Sequence, residues 1–372
     1  MGRWRFLAYD LLSGSFLTEL PVTSWSSSDP LTGVGSWSAT VDVRGSTSST
    51  ARQTVVADST RRGRALIVAE RDGVPVFDGI VWRRGYSARS SLLTLAGANL
   101  KSYFNHWTQA AALGPFTAVD QFEIFRQFVA AVQTAPSGNI GVIVDSGNSG
   151  KVRDRSIYPA YSGKKLGELM SELAGTQDGF EYTIGVEYNA GVVERRCRLF
   201  SPRRGRDLSA TNLRFYSPGN AVLFDVDEDG SNMAVTVVGL GAGDGADMLT
   251  ATVSQTDLLA AGWPGYREQR SWKDVSVLNT LNEHAAAEVR RLSGVDVESF
   301  TIAVDVDSVG QPFGSWTIGD DALLVVQDDA FYPAQVDGSP GLVSLRRVLQ
   351  HDWRVQGSSE ELVVTLGLKV LP

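Results

Sequence analysis

Between residues 36 and 43 apolar and polar positions alternate one for one: Trp37, Ala39, Val41 and Val43 fall on one side, Ser38, Thr40 and Asp42 on the other. A period of two predicts a half-buried β-strand. A near copy, Ser-Phe-Thr-Ile-Ala-Val-Asp-Val, stands at 299–306. After each copy comes an Ala-Leu run ending in acid, ALIVAERD at 65–72 and ALLVVQDD at 322–329. Each series closes on Thr-Leu and a glycine: Thr94, Leu95 and Gly97, then Thr365, Leu366 and Gly367. Strand vocabulary is small, so one match is cheap. Three matches in the same order predict a duplicated β unit.

Around the first copy the chain reads as a meander. Residues 44–63 are polar and predict a long loop. Asp72-Gly73 between ALIVAER and VPVFDGIVW supplies the positive φ angles of a tight hairpin, and 91–96 give a third strand. After about residue 100 the period changes. Thr117 and Asp120 predict an N-cap box, and Val119, Phe122, Phe125, Phe128, Val129 and Val132 share one face of the helix it opens, with Pro136 and Gly138 as the stop. A short strand at 140–144 follows, then a helix from Ser162 to Gly175 carrying Leu166, Leu169, Met170 and Leu173, then strands at 180–188 and 192–200.

From about 220 strands return, at 222–227, 233–240 and 247–254. A helix at 275–293 aligns Leu278, Leu281, Ala285, Val289 and Leu292, with Gly294 as its stop. The last strands are 299–306, 322–327, 342–356 and 361–370, the final two joined across Gly357–Ser359. The expected fold class is mainly β with an α+β insertion: two β-barrel or sandwich domains plus a small α/β domain. The expected boundaries are 1–100 with 196–219 for the first barrel, 101–195 for a peripheral α/β domain, and 220–372 for the second barrel with its flanking helix and associated strands.

At 372 residues, two to three domains are expected. With 43% hydrophobic and 20% charged residues the chain reads as folded and soluble. No run of about 18 apolar residues predicts a transmembrane helix. The start, Met-Gly-Arg-Trp-Arg-Phe, has no apolar signal-peptide region, and Phe6 stands where myristoylation needs Ser or Thr. Charge is uneven. Residues 1–220 carry 25 Lys+Arg against 19 Asp+Glu, whereas 221–329 carry 5 against 19. A surface of that sign repels nucleic acid.

The candidate chemistry is sparse. Cys197, the one cysteine, excludes an internal disulfide and alternates with Arg196 and Arg198, as a small buried side chain would. A nucleophilic role would need a base, and only His106, His284 and His351 are available. Gly241-Ala-Gly-Asp-Gly-Ala246 follows a strand, but ADMLTATVS after it reads as strand rather than the helix a pyrophosphate site requires, so a hairpin loop is expected. Asp225, Asp227 and Asp229 imitate the start of a calcium loop whose twelfth position falls on Thr236, so a carboxylate-rich turn is expected. Asp320-Asp321 and Asp328-Asp329 are adjacent on strands and point to opposite faces. Trp25, Trp37, Trp82, Trp107, Trp263 and Trp353 are scattered along the chain and read as core or interface anchors, with a sugar-binding surface as the alternative. The expectation is no catalytic, cofactor or metal residues.

Taken together, WRFLAYDLLSGSFLTELP, VAERDGVPVFDGIVW, RDRSIYPAYSGKKLGELMSELAGTQDGFEYTI, GLGAGDGADML and the helix around LNTLNEHAAAEVRRL resemble the tail-hub (baseplate-hub, minor tail) proteins of long-tailed, siphovirus-type bacteriophages, especially those infecting actinobacteria. The resemblance implies a homotrimer whose subunits each give two barrels similar to the tail-tube protein, so that six barrels match a hexameric tube. It implies a virion protein of the tail tip, made in the host cytoplasm. The implied partners are the distal tail ring, the tape measure protein and tip or receptor-binding proteins, with genomic DNA passing through unread. Many family members continue into fibre or enzymatic regions, whereas this sequence stops at 372. The rival expectations are a tail-associated peptidoglycan hydrolase and a receptor- or carbohydrate-binding tail module.

Overall fold

The repeated phrases are strands that occupy matching positions in two sets of strands. A computed structural model describes residues 2–43, 50–155, 157–176, 178–273, 275–295 and 298–368. It divides into two compact units: 1–204 with 350–363, and 205–349 with 364–372.

In the first unit β1 (Trp4–Asp10), β2 (Phe16–Glu19), β3 (Val22–Pro30) and β4 (Ser36–Asp42) are followed by α1 (Thr50–Ser59), β5 (Ala65–Arg71), β6 (Val74–Ser87) and β7 (Leu92–Ala98). They pair antiparallel in the order β3–β4–β7–β6–β5–β1–β2. Residues 350–356 lie antiparallel along the free side of β3. The loop expected at 44–63 is helix over the described part that α1 occupies; 44–49 lie outside the described residues. Little in the sequence marks α1, whose apolar residues form only a weak stripe.

The chain then runs through α2 (Lys101–Phe104), β8 (Phe116–Asp120), α3 (Gln121–Gln133), β9 (Val142–Val144), β10 (Val152–Arg155), α4 (Leu166–Ala174), β11 (Glu181–Asn189) and β12 (Val192–Phe200). The N-cap expectation shifts here. Phe116–Asp120 is strand, and Asp120 alone caps α3, accepting from the Phe122 N–H at 2.9 Å. Ser162 lies in a 3-10 turn, and Lys165 rather than Ser162 precedes α4.

In the second unit α5 (Leu208–Thr211), β13 (Arg214–Ser217) and β14 (Ala221–Glu228) lead to a small block: β15 (Thr236–Leu240), β16 (Thr250–Ser254), α6 (Thr256–Ala260), β17 (Arg267–Ser271) and α7 (Leu278–Arg290). Ala285, Val289 and Leu292 pack there on Ala234 and Val237. The unit closes with β18 (Glu298–Val304), β19 (Asp321–Val326), and the parts of β20 (Leu342–Gln356) and β21 (Ser359–Leu368) that lie outside 350–363. Strand β17, polar and at a sheet edge, carries no hydrophobic pattern by which to read it. Segment 196–219, expected with the first barrel, is divided: β12 lies in the first unit, and β13 pairs with β19 in the second.

The second unit's order is β14–β18–β21–β20–β19–β13. Strand by strand this is the order β3–β4–β7–β6–β5–β1 of the first unit, in the same chain sequence. One orientation differs: β1 runs antiparallel to β5, β13 parallel to β19. The phrases at 36–43 and 299–306 are β4 and β18, the Ala-Leu runs are β5 and β19, and the Thr-Leu-Gly strands are β7 and β21.

The repeated glycine has a steric reason in both units. A Cβ on Gly97 would run into the Ile80 carbonyl oxygen and lie 2.7 Å from the Trp37 indole nitrogen, while one on Gly367 would meet only the Leu349 side chain. Backbone cannot rotate away; a leucine end can. We expect Gly97→Ala to cost about 3 kcal/mol and Gly367→Ala under about 1 kcal/mol. Urea midpoints of the two variants would check the ranking, and equal losses would contradict it.

Candidate functional site

The first unit buries both faces of its sheet. Ala65, Ile67 and Ala69 of β5 join Trp25, Trp37, Val41 and Leu95 in one core. Leu66 and Val68, on the opposite face, join Leu7, Tyr9 and Ile80 in a second core with Phe104, Phe122, Phe125, Phe128, Leu169 and Cys197 of the α/β block. That is why β5 reads as a continuous apolar run instead of alternating.

Asp78 fastens the block to the sheet. It stands opposite Val68 on the block-facing side of β6, and its carboxylate accepts from the Val186 N–H at 2.8 Å and the Leu100 N–H at 3.3 Å. Burial pushes its pKa up to about 7, against the pull of those N–H groups, and the Asp29 charge adds to the rise. Beside it is a cavity of about 160 Å³ lined by Asp29, Asn99, Lys101, Arg196 and Arg204. Burial lowers the Lys101 pKa, and its ammonium lies 5.2 Å from the Tyr182 ring centroid. His351, paired with Asp29 across the sheet, is held neutral by burial and by Arg204, its pKa pushed down to about 3. This is a buried knot of opposed charges.

A second anchor holds segment 350–363. Glu360 accepts from the Gly2 N–H at 2.8 Å, the Trp4 indole N–H at 2.6 Å, and both Nε and a terminal nitrogen of Arg71 at 3.0 Å. Both side chains of the pair are 10% exposed or less. Trp353 packs edge-on against Trp4 with centroids 5.1 Å apart.

The residues singled out in the sequence scatter. Cys197 is buried and burial raises its pKa, the opposite of an activated thiol. His106 stacks on Trp82 and His284 on Trp272. Trp25, Trp37 and Trp353 are buried, the first two stacked at 4.9 Å; Trp82 and Trp107 are partly buried against the α/β core, and Trp263 is exposed. The 241–246 glycines form the loop between β15 and β16. Asp320 is buried on Arg206, whereas Asp328 accepts three backbone N–H groups of the following turn. Asp225, Asp227 and Asp229 are exposed along and just beyond the edge strand β14, so the acid run is a surface. Asp78 and Glu360 were not found by sequence reasoning. An acid inside the run VPVFDGIVW is a visible signal for the first; Glu360 has none.

Among the described residues no helix is long and apolar enough to cross a membrane. No protein-family model matches the sequence, and no curated protein matches it. Solved structures do. The tail protein from Neisseria meningitidis MC58 is 13% identical, with 97% of this chain and 96% of that one covered and a TM-score of 0.61. The prophage MuSo2 43 kDa tail protein from Shewanella oneidensis is 13% identical with 97% of both chains covered and a TM-score of 0.63. Prophage tail protein gp18 from Listeria monocytogenes EGD-e is 11% identical, with coverage of 98% and 94% and a TM-score of 0.56. The chain therefore has the fold of phage tail proteins, mainly β and baseplate-hub-like, over nearly its whole length.

Proposed function

We propose that this is a structural virion protein that forms the trimeric hub at the distal end of a phage tail, without enzymatic turnover. The observation that carries the reading is the shared strand order of its two units. A chain that supplies two similar barrels lets three copies present six, which is what joining a hexameric tube or distal ring to a threefold tip requires. The likeness to tail proteins over 94% or more of each chain supports a role in the tail. In this reading 101–195 is a peripheral α/β domain, the tape measure protein and tip proteins are neighbours, and the ring encloses the DNA channel. Sedimentation of the purified chain tests it: a species of three times 40.1 kDa is expected, and a strict monomer in solution and in assembled tails would refute it.

We assign the exposed acids of β14 to the channel wall, where carboxylates keep passing phosphates from adhering. Replacing Asp225, Asp227 and Asp229 by Asn is expected to leave particles intact and slow DNA ejection. Unchanged ejection kinetics in intact particles would remove that assignment.

A further inference from the structure

The two units treat the same sheet face differently. Leu66 and Val68 of β5 are fully buried beneath the α/β block. Their counterparts by repeat position are Leu323 and Val325 of β19, and these are only half-buried. Across the strands Val325 stands in register with Tyr216 on β13 and Val343 on β20, and Leu323 with Leu345. Tyr216 is 41% and Val343 55% exposed. Where the first unit has Asp78 to tie down its cover, the second has Val343. So, among the described residues, the second unit keeps the apolar face without an α/β block over it or an acid at the tether position. The loop joining β19 to β20 at the Val343 end adds exposed Phe331 and Val336, and residues 327–341 carry three aspartates and no Lys or Arg.

The first unit offers the complementary chemistry. The β1–β2 hairpin exposes Leu12, Phe16 and Leu17 at the sheet edge. Next to it Arg61, Arg64, Asp10 and Asp58 line a groove of about 260 Å³. Exposed Arg62 follows Arg61, and Arg84 donates to the Ala57 carbonyl at the end of α1. Four arginines thus meet two aspartates beside an apolar edge. The imbalance holds for whole units: the second has 10 Lys+Arg against 21 Asp+Glu, the first 24 against 21.

We propose that the β13–β19–β20 face of the second unit docks a second copy of this chain, which brings the β1–β2 hairpin and the arginine-rich end of α1 of its first unit. The contact joins unlike surfaces, so repetition closes a ring or grows a filament, and closure at three rests on the hub reading above. An apolar centre with a charged rim is the usual anatomy of such a contact.

Sedimentation velocity of the full chain tests this with Val343→Glu, Phe16→Glu, Arg62→Glu, Asp329→Arg and the double variant Arg62→Glu/Asp329→Arg, each checked for wild-type circular dichroism. Val343→Glu and Phe16→Glu, both at exposed positions, are each expected to weaken self-association at least about tenfold. The two charge reversals should each weaken it several-fold, and the double variant should restore it. A wild-type trimer that none of these changes weakens overturns the docking surface and leaves the hub reading standing. A wild type that stays monomeric in solution overturns this contact, and one that is monomeric in assembled tails as well overturns both readings. A dimer or open polymer broken by these variants upholds the surface and overturns closure at three. Variants that self-associate normally but no longer bind another tail protein overturn the choice of a second copy as occupant.

Discussion

Glu360→Ala should cost about 3–5 kcal/mol, the usual loss when one member of a buried ion pair is removed. The carboxylate satisfies three donors from three places in the chain, the Gly2 N–H, the Trp4 indole and the Arg71 guanidinium. Removing it strands all three at once. Asp72 lies 3.3 Å from another Arg71 nitrogen and keeps part of the charge compensated, so the lower end of the range is expected. Burial alone would raise the Glu360 pKa, but these donors outweigh it and hold it below the ordinary value. The anchor is therefore present above the unfolded carboxylate range and is lost as pH falls through the depressed folded value. Glu360→Gln should fall between wild type and Ala, because one amide oxygen cannot accept from donors on both sides. Urea unfolding followed by tryptophan fluorescence reads this directly, since Trp353 packs on Trp4. A loss under about 1 kcal/mol for the alanine variant would show that strand pairing and apolar packing hold segment 350–363 without the carboxylate.

Asp78 and His351 should make opposing contributions to the pH dependence of the first unit's stability between about pH 4 and 6.5, and a single substitution should tilt it. Asp78 has a folded pKa of about 7 against an ordinary value of 3.8. Over that interval the folded state holds a proton the unfolded chain has released, so stability falls as pH rises, by about 4 kcal/mol in all. His351 does the reverse. Its folded pKa of about 3 lies below the ordinary 6.5, so stability falls as pH drops from 6.5 toward 3, by about 5 kcal/mol. The two slopes oppose each other over most of the range. Relative to wild type, Asp78→Asn should make stability rise more steeply with pH, by about 1.4 kcal/mol per pH unit from 4 to 6.5. His351→Gln should change the slope in the opposite sense. Asn also loses one of the two acceptors for Val186 and Leu100, a pH-independent cost of about 1–2 kcal/mol. Parallel pH profiles for wild type and Asp78→Asn would show that Asp78 is ionised in the folded protein.

Many strands, the α3 face apart from Val119, the α7 face apart from the exposed Leu278, and the duplication were legible because each is a local rhythm that burial imposes on the chain. Phe122, Phe125 and Phe128 mark α3 as plainly as Trp37, Ala39 and Val41 mark β4. Helix α1 and strand β17 were not, since one has no clear apolar stripe and the other exposes every second residue at an edge. The ends of α3 and α4 moved because Thr117 and Ser162 have capping chemistry but not capping geometry. The Asp225–Asp229 run could be read as surface, while the partners of Asp78 and Glu360 could not be read at all.

By itself the sequence determined that one chain writes a β unit twice, because alternation and a close-approach glycine are local demands that leave local marks. Only the tertiary structure decided which face of each copy is covered. Leu66 and Leu323 sit in the same phrase, yet one is fully buried and the other half-exposed. Cover depends on segments more than thirty residues away, and no residue's identity records whether a distant segment folds over it.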